Sequence, residues 1–408
     1  MKNLLIISYC FPPTQEIGGL RPYLLAKYIK NFGYNPIIVT KYDSEELDKN
    51  FNIIITDKFI DSYNLFQPKF TIKSNLLFTI IKDIISFPDY QYRWKNICLE
   101  AINKHVNLDN IDIIYSTSSP ITCHLIAKTL KRKLNIPWVA DLRDLWYGNH
   151  YNNNLLIRSV ADKLLEINTL RQADYITTTT NTCKDNLLLR HSHCPVESIL
   201  TGFNPEELSS ENTLEEKLSI TYAGGLYGGK RDPSLLFQAV SYLINNGTIN
   251  RNKIEINFYT EQSEALDELI KKFNLNDVVH HHNKISRNEI LSIQRRSHLL
   301  LILLLLDNSA ESGVITGKLY EYLASRRPIL CIGPSTNEMK FIISDLSAGQ
   351  YTTTVDEIIQ VISAYYNEFI KTGIIENRTH ENKLLQYSGE AMIKKFASIF
   401  DDILIGMK

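Results

Sequence analysis

The sequence predicts an α/β protein made of two Rossmann-like, doubly wound domains. Short apolar runs alternate with helical patterns along the whole 408-residue chain, and this alternation is typical of parallel βαβ units. The apolar runs form two series of similar size, and a chain of this length is too long for one hydrophobic core. We therefore expect one parallel sheet in each half of the chain.

The predicted strands define the two sheets. The first series covers residues 3–9, 36–40, 111–116, 137–141, 174–180 and 196–200, and the second covers 218–223, 254–259, 277–281, 298–306 and 328–332. Helical patterns between the strands include 20–32, 121–134, 233–244, 263–273 and 314–324. The longest apolar run, 299–306, is far shorter than the roughly 20 residues of a membrane span. It indicates a strand that is buried on both faces.

The domain boundary is predicted between residues 204 and 205. The segment 201–205 (Thr-Gly-Phe-Asn-Pro) opens a polar stretch that continues to Glu216 without a strand pattern, which is typical of a linker. The first domain therefore covers 1–204 and the second covers 205–387. Residues 388–408 predict a long helix, which we expect to cross back onto the first domain.

Composition excludes several classes of protein. The formal net charge of -1 gives no overall positive field for nucleic acid, and 44% hydrophobic with 22% charged residues is typical of a soluble globular chain. The six cysteines are scattered without a C-x-x-C pair, which fits a reducing compartment. The first apolar run is short and ends at Phe11-Pro12-Pro13, unlike a secretory signal. We expect a cytoplasmic protein.

A glycine pair follows the first predicted strand in the pattern Pro12-Pro13-x4-Gly18-Gly19. Glycines at a strand-to-helix turn let the backbone approach a phosphate and leave N–H groups exposed at the helix N-terminus. This predicts that Gly18 and Gly19 bind a phosphate group. A tight turn without a ligand is the alternative interpretation.

A second glycine-rich loop follows the first strand of the second series. It contains Gly224 and Gly225, and Lys230 and Arg231 come shortly after them. Lysine supplies a point charge and arginine a fork of donors, so both can neutralise a diphosphate. The recurrence of this loop at the same place in both domains favours a binding function.

A charged segment begins at the last residue of the predicted strand 137–141. It contains Asp141, Arg143, Asp144 and Trp146, at the carboxyl end of a strand, where open α/β sheets bind ligands. We interpret Arg143 and Asp144 as catalytic candidates, and Asp141 and Trp146 as ligand-binding candidates. The alternative is an internal Asp–Arg–Asp ion network that fixes the loop.

The segment Thr316-Gly317-Lys318 opens a helix after the longest apolar run, and Glu321 lies one turn further. A lysine at a helix start opposes the helix dipole, and a bound anion would compensate. Glu321 can accept both hydroxyls of a ribose, as acidic residues do in dinucleotide sites. We therefore place all four residues in a phosphate- and ribose-binding site. An exposed Glu–Lys pair is the alternative.

Together these four segments resemble glycosyltransferase family 4, the retaining nucleotide-sugar enzymes of the two-domain GT-B fold. The resemblance covers nearly the whole chain and is closest to bacterial members that build capsule, O-antigen and related surface polysaccharides. Those members share a Pro-Pro…Gly-Gly opening, a strand ending in Asp-Leu-Arg-Asp-Leu-Trp, and a Gly-Lys-Leu-Tyr-Glu-Tyr-Leu-Ala helix before Arg-Pro-Ile-Leu. The matching segments here are 12–19, 141–146, 317–324 and 327–330.

The resemblance implies two domains that face each other across a cleft, the first binding the acceptor and the second the donor. It implies that the amides of Gly18 and Gly19 contact the donor diphosphate. Lys230, with Arg231, would stabilise the departing nucleoside diphosphate, and Glu321 would hold the ribose.

By the same resemblance, Lys318 and the Gly317 amide approach the phosphate end of the donor. The co-substrate would be a UDP- or GDP-sugar, with no other cofactor and no metal. The acceptor would be a polyprenyl-diphosphate-linked or oligosaccharide molecule. This implies peripheral contact with the cytoplasmic face of the inner membrane, and no nucleic-acid partner.

The sequence departs from the family pattern at two positions. Many members carry two glutamates separated by seven residues, and the first falls at Gly313 here, with Glu311 nearby but out of register. Many also carry an arginine where this chain has Gly225, and its role would pass to Arg231 or Lys230.

Weaker patterns lie outside these segments. The apolar stretch 74–87 predicts a helix that dips into a bilayer or packs within the first domain. The basic cluster Lys128, Lys131, Arg132 and Lys133 fits either anionic lipid or the favourable end of a helix dipole. The run His280-His281-His282 does not predict a metal site, because consecutive strand residues alternate faces.

Two other functions fit the same fold. A nucleotide-sugar 2-epimerase would need acid–base residues around the sugar ring, for which we find no convincing carboxylate–histidine set. An inactive nucleotide-sugar binding subunit is suggested by Gly313 and Gly225.

Overall fold

A computed structural model describes residues 1–12, 17–41, 50–57, 80, 83–149, 155–208, 213–305, 313 and 315–406. The chain divides into two compact units: Met1–Gly202 with Gly389–Lys408 form unit 1, and Phe203–Ser388 form unit 2. Most of the predicted helix at 74–87, and Glu311, lie outside the described residues.

Unit 1 is built on a parallel sheet of seven described strands in the order β3-β2-β1-β4-β5-β6-β7. The strands are β1 (Lys2–Ile7), β2 (Tyr34–Thr40), β3 (Asn52–Ile55), β4 (Ile113–Ser118), β5 (Trp138–Leu142), β6 (Tyr175–Thr178) and β7 (Val196–Ser198). The helices are α1 (Leu20–Tyr28), α2 (Trp94–His105), α3 (Thr122–Leu134), α4 (Leu156–Leu170) and α5 (Asn181–Leu188).

Unit 2 repeats this arrangement with six described parallel strands in the order β10-β9-β8-β11-β12-β13. The strands are β8 (Leu218–Ala223), β9 (Ile254–Tyr259), β10 (Val279–His282), β11 (Leu299–Leu303), β12 (Ile329–Ile332) and β13 (Gly349–Thr352). The helices are α6 (Ser234–Asn245), α7 (Glu264–Lys272), α8 (Arg287–Arg296), α9 (Lys318–Ser325), α10 (Glu338–Leu346), α11 (Val355–Thr372) and α12 (Glu381–Leu384).

The C-terminal helix α13 (Gly389–Gly406) belongs to unit 1. Its apolar face, including Phe396 and Phe400, is buried in the cluster that also contains Leu24 and Tyr115. At the rim of this contact, Asp401 accepts hydrogen bonds from Lys2 Nζ at 2.7 Å and from the Tyr34 hydroxyl at 2.8 Å. Burial of these aromatic side chains supplies the main driving force for docking the helix.

The predicted α/β fold class is confirmed by these two parallel sheets. All five residues of β11 are buried, as expected for a central strand with helices on both faces. Local signals set the helix ends: Ser286 and Glu289 form a capping box at the start of α8, and Gly373 ends α11 with a φ of 74°. Strands β3 and β13 lie at sheet edges and are absent from the sequence prediction.

Candidate functional site

Strand order places the candidate loops at the reversal point of each sheet. In unit 2 the chain moves outward in one direction from β8 and in the other from β11, and these two strands are neighbours. In unit 1 the corresponding neighbours are β1 and β4. Ligands of open α/β sheets bind beyond the carboxyl ends of the strands at such a point. The segments containing Gly224 and Lys318 both follow these central strands of unit 2.

The loop after β8 has a backbone that only glycine tolerates easily. Gly224 has a φ of 135°, and a Cβ built on it would lie 2.5 Å from the Lys318 ammonium nitrogen. The loop then turns through three consecutive residues with positive φ, namely Tyr227, Gly228 and Gly229. Two segments that are distant in sequence therefore meet at Gly224, where a side chain would displace a cation.

Lys318 is the first residue of α9 and is only 9% exposed. Its ammonium lies over the Tyr222 ring, 5.3 Å from the centroid. A cation at a helix N-terminus meets the positive end of the helix dipole, and the aromatic face offsets part of that cost. Gly317, the N-cap residue, contributes no side-chain cap. This helix start therefore presents positive charge and backbone rather than an acidic cap.

The two cations of the β8–α6 loop have different environments. Arg231 is buried, its backbone N–H donates to the Leu226 carbonyl at 3.1 Å, and its guanidinium lies 4.6 Å from the Tyr227 ring centroid. Lys230 is exposed. Arginine is thus held in place by the loop, whereas the lysine is free to reorient. Gly225 is half-buried, and its carbonyl accepts a hydrogen bond from the Tyr222 hydroxyl at 2.8 Å.

Glu321 is held by a cation that the sequence analysis did not single out. Its side chain is 13% exposed, and Oε1 lies 3.6 Å from Nε of Arg287 on α8. The Arg287 guanidinium also forks onto both carboxylate oxygens of Glu207, at 2.9 and 3.1 Å. Burial raises the pKa of Glu321, and Arg287 opposes that rise. No local spacing links the three residues, which lie on different segments.

In unit 1, Arg143 clamps the glycine turn to the end of β4. Its Nη1 donates to the Gly18 carbonyl at 2.7 Å, its Nη2 donates to the Ser119 carbonyl at 3.1 Å, and its Nε donates to the Ser118 carbonyl. A Cβ on Gly18 would lie 2.8 Å from Arg143 Nη1. The glycine at this position therefore makes room for a guanidinium. Gly19 is buried and is the N-cap residue of α1.

Asp141 is fully buried, and Arg21 of α1 is its ionic partner. Arg21 donates from Nε at 2.9 Å and from Nη2 at 2.8 Å, and the hydroxyls of Tyr115, Thr117 and Thr177 also donate to this carboxylate. Burial alone would raise the pKa of Asp141, but the ion pair and hydrogen bonds outweigh it and hold the pKa below its usual value. The structure therefore does not form the Asp–Arg–Asp network within the segment: the partner of Asp141 is Arg21 of α1, and Arg143 donates to backbone carbonyls instead.

The remaining predicted residues differ in exposure. Asp144 is exposed, whereas Trp146 is buried in the unit 1 core, and its indole N–H has no hydrogen-bond acceptor among the described residues. Thr316 is half-buried, and its carbonyl accepts the Leu319 N–H at 3.1 Å. Gly313 is buried.

The described part of the chain contains neither a metal-binding cluster nor a membrane-spanning helix. There, no group of three or more His, Cys, Asp and Glu side chains is arranged to hold a metal ion. His281 Nδ1 lies 2.8 Å from Asp267, while the His282 ring stacks on Tyr259 with centroids 4.6 Å apart. Among the helices that the structure describes, none has both the length and the apolar character needed to cross a bilayer.

Comparison of the sequence with protein-family models and with curated proteins finds no match. Solved structures nevertheless share the fold along essentially the whole chain. A sucrose-phosphate synthase from Thermosynechococcus elongatus is 11% identical with a TM-score of 0.68, and the match covers 100% of both chains. An α,α-trehalose-phosphate synthase (UDP-forming) from Burkholderia xenovorans, in complex with glucose-6-phosphate, is 11% identical with a TM-score of 0.66, covering 98% of this chain and 100% of the other. Anabaena HepE, in complex with UDP and glucose, is 11% identical with a TM-score of 0.64 over 98% and 100%. The chain therefore has the two-domain GT-B fold found among glycosyltransferases.

Proposed function

We propose that this protein is a retaining glycosyltransferase of the family 4 type. It transfers a hexosyl or N-acetylhexosaminyl group from a UDP- or GDP-sugar to a polyprenyl-diphosphate-linked or oligosaccharide acceptor. The reaction contributes to bacterial capsule, O-antigen or exopolysaccharide synthesis at the cytoplasmic face of the inner membrane. Two solved structures of the same fold, one with UDP and glucose and one with UDP-2-fluoro glucose, support a nucleotide-sugar donor.

The observation that carries this proposal is the contact between Lys318 and Gly224. A buried ammonium at a helix start, against a glycine with a φ of 135°, brings positive charge and accessible backbone to the reversal point of the unit 2 sheet. This combination suits a diphosphate, which accepts hydrogen bonds from N–H groups and neutralises nearby cations.

In the proposed donor site, each charged side chain has a role in binding the nucleotide or in stabilising the leaving group. Lys230 and Arg231 stabilise the negative charge that develops on the departing nucleoside diphosphate, which is the type of electrostatic stabilisation that matters most in such reactions. Lys318, Gly317 and Thr316 lie at the phosphate end. These fixed cations make a bound metal unnecessary in the proposed mechanism.

The remaining candidate residues are proposed to bind the nucleoside of the donor or the acceptor. Glu321 accepts the ribose hydroxyls, and Arg287 orients its carboxylate. Gly18 and Gly19 contribute backbone from unit 1. On the acceptor side, exposed Asp144 is the better-placed candidate for direct contact, whereas Arg143, Asp141 and Trp146 shape the loop that carries it.

Two exposed lysines, one beyond the carboxyl ends and one beyond the amino ends of the unit 2 strands, provide a matched test. Lys230 follows β8 at its carboxyl end, and Lys253 precedes β9 at its amino end. We expect Lys230→Ala to weaken UDP or GDP binding about tenfold and Lys253→Ala to leave it unchanged. Glu321→Ala should also weaken binding. Unchanged affinity for every nucleoside diphosphate in both Lys230→Ala and Glu321→Ala would refute the donor site.

Turnover is tested separately from binding. The full chain is incubated with radiolabelled UDP- and GDP-sugars and with membrane lipid extracts. Label recovered in lipid or oligosaccharide supports transfer, whereas release of an epimerised nucleotide sugar indicates an epimerase. Nucleotide binding without any turnover indicates a binding subunit.

A further inference from the structure

Unit 1 contains a cavity of about 720 Å³ that is lined by basic and apolar side chains. Lys95 comes from α2, and Lys128, Arg132 and Lys133 come from α3, while Phe87 and Pro88 contribute an apolar wall. In the sequence, the apolar stretch 74–87 and the α3 cluster are two separate weak signals. In the structure both contribute to this one cavity, which we call the basic cavity.

The helix dipole does not explain the charge in the basic cavity. It accounts for Arg132 and Lys133 in the last turn of α3, but Lys95 lies in the first turn of α2, where the dipole is unfavourable to a cation. No acidic side chain among the described residues forms an ion pair with Lys95, Lys128 or Arg132. Lys131, in contrast, is paired with Asp174 at 2.8 Å.

The cations in this cavity repel one another. Burial, followed by the nearby charges of Arg132 and Lys95, lowers the pKa of Lys128. Like charges held close together without an acidic partner are destabilising until an anion joins them. The cavity is therefore complementary to a negatively charged group.

Helix α4, next to the cavity, exposes a stripe of apolar side chains to solvent. Leu156 and Ile157 are 79% and 85% exposed, and Val160 and Leu164 are also exposed. At about 100° per residue these four side chains fall within an arc of about 100°. The opposite face buries charged residues instead, since Glu166 is fully buried against Arg190 and His191. A helix in water normally shows the opposite arrangement.

Helix α4 contacts the segment that forms the apolar wall of the cavity. Arg158 of α4 donates to the carbonyls of Asp83 and Pro88, both at 2.7 Å, and its guanidinium lies 4.8 Å from the Phe87 ring centroid. Ile84, on the same segment, is 70% exposed. Arg158 thus links α4 to the segment that carries Ile84 and Phe87, and Phe87 also lines the basic cavity, so we group the α4 stripe with Ile84 and Phe87. We call these residues the apolar surface.

We propose that unit 1 docks through the apolar surface on a membrane of anionic phospholipid, with lipid phosphates bound by Lys95, Lys128 and Arg132. An apolar strip beside a cationic pocket matches the acyl boundary and the headgroup layer of such a membrane. A symmetric pair of chains fits less well, because it would bring two basic cavities towards each other. The surface lies outside the proposed donor site, and the proposal does not depend on transfer activity.

Flotation of the full chain with lipid vesicles tests this surface. We expect binding to mixed phosphatidylcholine–phosphatidylglycerol vesicles that is about a hundredfold tighter than binding to phosphatidylcholine alone. Lys128→Gln with Arg132→Gln should weaken binding to the mixed vesicles about thirtyfold. Leu156→Ser with Ile157→Ser should weaken binding to both kinds of vesicle, each change by about tenfold or more.

A matched control removes similar side chains elsewhere. Phe341 is 71% exposed on α10, and Lys394 and Lys395 are exposed on α13, so Phe341→Ser with Lys394→Gln and Lys395→Gln should leave vesicle binding unchanged. Equal losses in this control would overturn the proposal, as would failure of the wild-type chain to float with the mixed vesicles. A dimer in sedimentation that Leu156→Ser with Ile157→Ser dissociates, with vesicle binding unaffected, would show an interface between chains instead.

The docking proposal and the proposed function fail separately. The same variants are titrated with UDP and GDP by thermal shift, since a ligand that binds only the folded state raises stability. Docking variants that keep the wild-type nucleotide response support a surface independent of the donor site. A wild-type chain that floats but binds no nucleotide would remove the proposed function and leave the docking proposal in place.

Discussion

Replacing Gly224 with alanine tests whether the contact between the β8 loop and α9 forms the phosphate site. The new Cβ would lie 2.5 Å from Nζ and 2.6 Å from Cε of Lys318. Unbonded heavy atoms of this kind prefer separations of about 3.5 Å or more, so the lysine end must move by about 1 Å. Charge-assisted hydrogen bonds are about 2.8 Å long, and a shift of that size moves the ammonium out of their range.

Gly224→Ala should have two effects, one on stability and one on nucleotide affinity, which separate measurements resolve. A side chain at a φ of 135° costs about 1–3 kcal/mol of backbone strain, which lowers the free energy of unfolding. Losing one charge-assisted hydrogen bond to a phosphate costs about 1.5–3 kcal/mol of binding, or about tenfold to a hundredfold in affinity. Gly247 supplies the control, because its φ is 77° and a Cβ there meets nothing within 4 Å. Gly247→Ala should cost only about 1 kcal/mol of stability and no affinity.

Titration calorimetry with UDP and GDP measures the affinity, and chemical denaturation measures the stability of the same samples. We expect Gly224→Ala to lose both stability and nucleotide affinity, and Gly247→Ala to lose stability alone. If Gly224→Ala bound nucleotide as tightly as the wild-type chain, Lys318 would not be positioned by this glycine for a phosphate, and the site would need another explanation.

Three other substitutions probe the ion networks. Asp141→Asn should lower the free energy of unfolding by about 3–5 kcal/mol because it leaves Arg21 buried without its anion. The stabilisation from Asp141, whose pKa is lowered, should be present above pH 3.8 and lost as the pH falls through the folded-state pKa. Arg143→Ala should cost about 1–3 kcal/mol because three carbonyls lose their donor. Arg287→Met should further raise the pKa of Glu321. If the ionised carboxylate binds the ribose, nucleotide affinity should fall during acidification at a higher pH than in the wild-type chain.

Neighbouring residues supply the controls for these three changes. Asp144→Asn and Asp144→Ala replace an exposed side chain and should change stability by less than about 0.5 kcal/mol. Arg296→Met removes an arginine from the same helix as Arg287, where it pairs with Glu215 at 3.6 Å and is half exposed. Denaturation curves for Asp141→Asn that match those of the Asp144 variants would contradict the network. Identical pH profiles of nucleotide binding for Arg287→Met and Arg296→Met would contradict the role of Arg287.

The central strands were predictable because burial on both faces leaves a clear apolar signal. Both β8 and β9 have the predicted bounds, Leu218–Ala223 and Ile254–Tyr259. Of the four strands at the edges of the two described sheets, β7 and β10 were predicted, whereas β3 and β13 were not; β13 has the sequence Gly-Gln-Tyr-Thr, which carries little apolar signal. Periodicity also identifies an apolar stripe without saying whether it faces a core, and α4 illustrates the exception.

Contacts between distant segments were the part that the sequence could not supply. Its pattern suggested that the Asp141 segment contains its own ion network, but the partner is Arg21 from α1. Likewise, Arg287 carries no local motif, and its ion pairs with Glu207 and Glu321 arise only from contacts between distant segments. Motifs predicted which loops matter, and tertiary packing determined the partner of each charge.

Buried charged side chains have different surroundings in the two units, and this difference indicates which unit binds the donor. In unit 1, Asp141 accepts five hydrogen bonds from named donors, so a ligand would have to break an arrangement that is already complete. In unit 2, Lys318 lies at the unfavourable end of a helix dipole, Gly224 adopts a backbone conformation that side chains rarely take, and burial raises the pKa of Glu321. Each of these features carries a free-energy cost in the ligand-free chain, which the Tyr222 ring and Arg287 offset in part, and we propose that a bound nucleoside diphosphate offsets more of it. We therefore infer that the donor chemistry is concentrated in unit 2, and that the conspicuous charges of the Asp141 segment serve mainly to hold a loop.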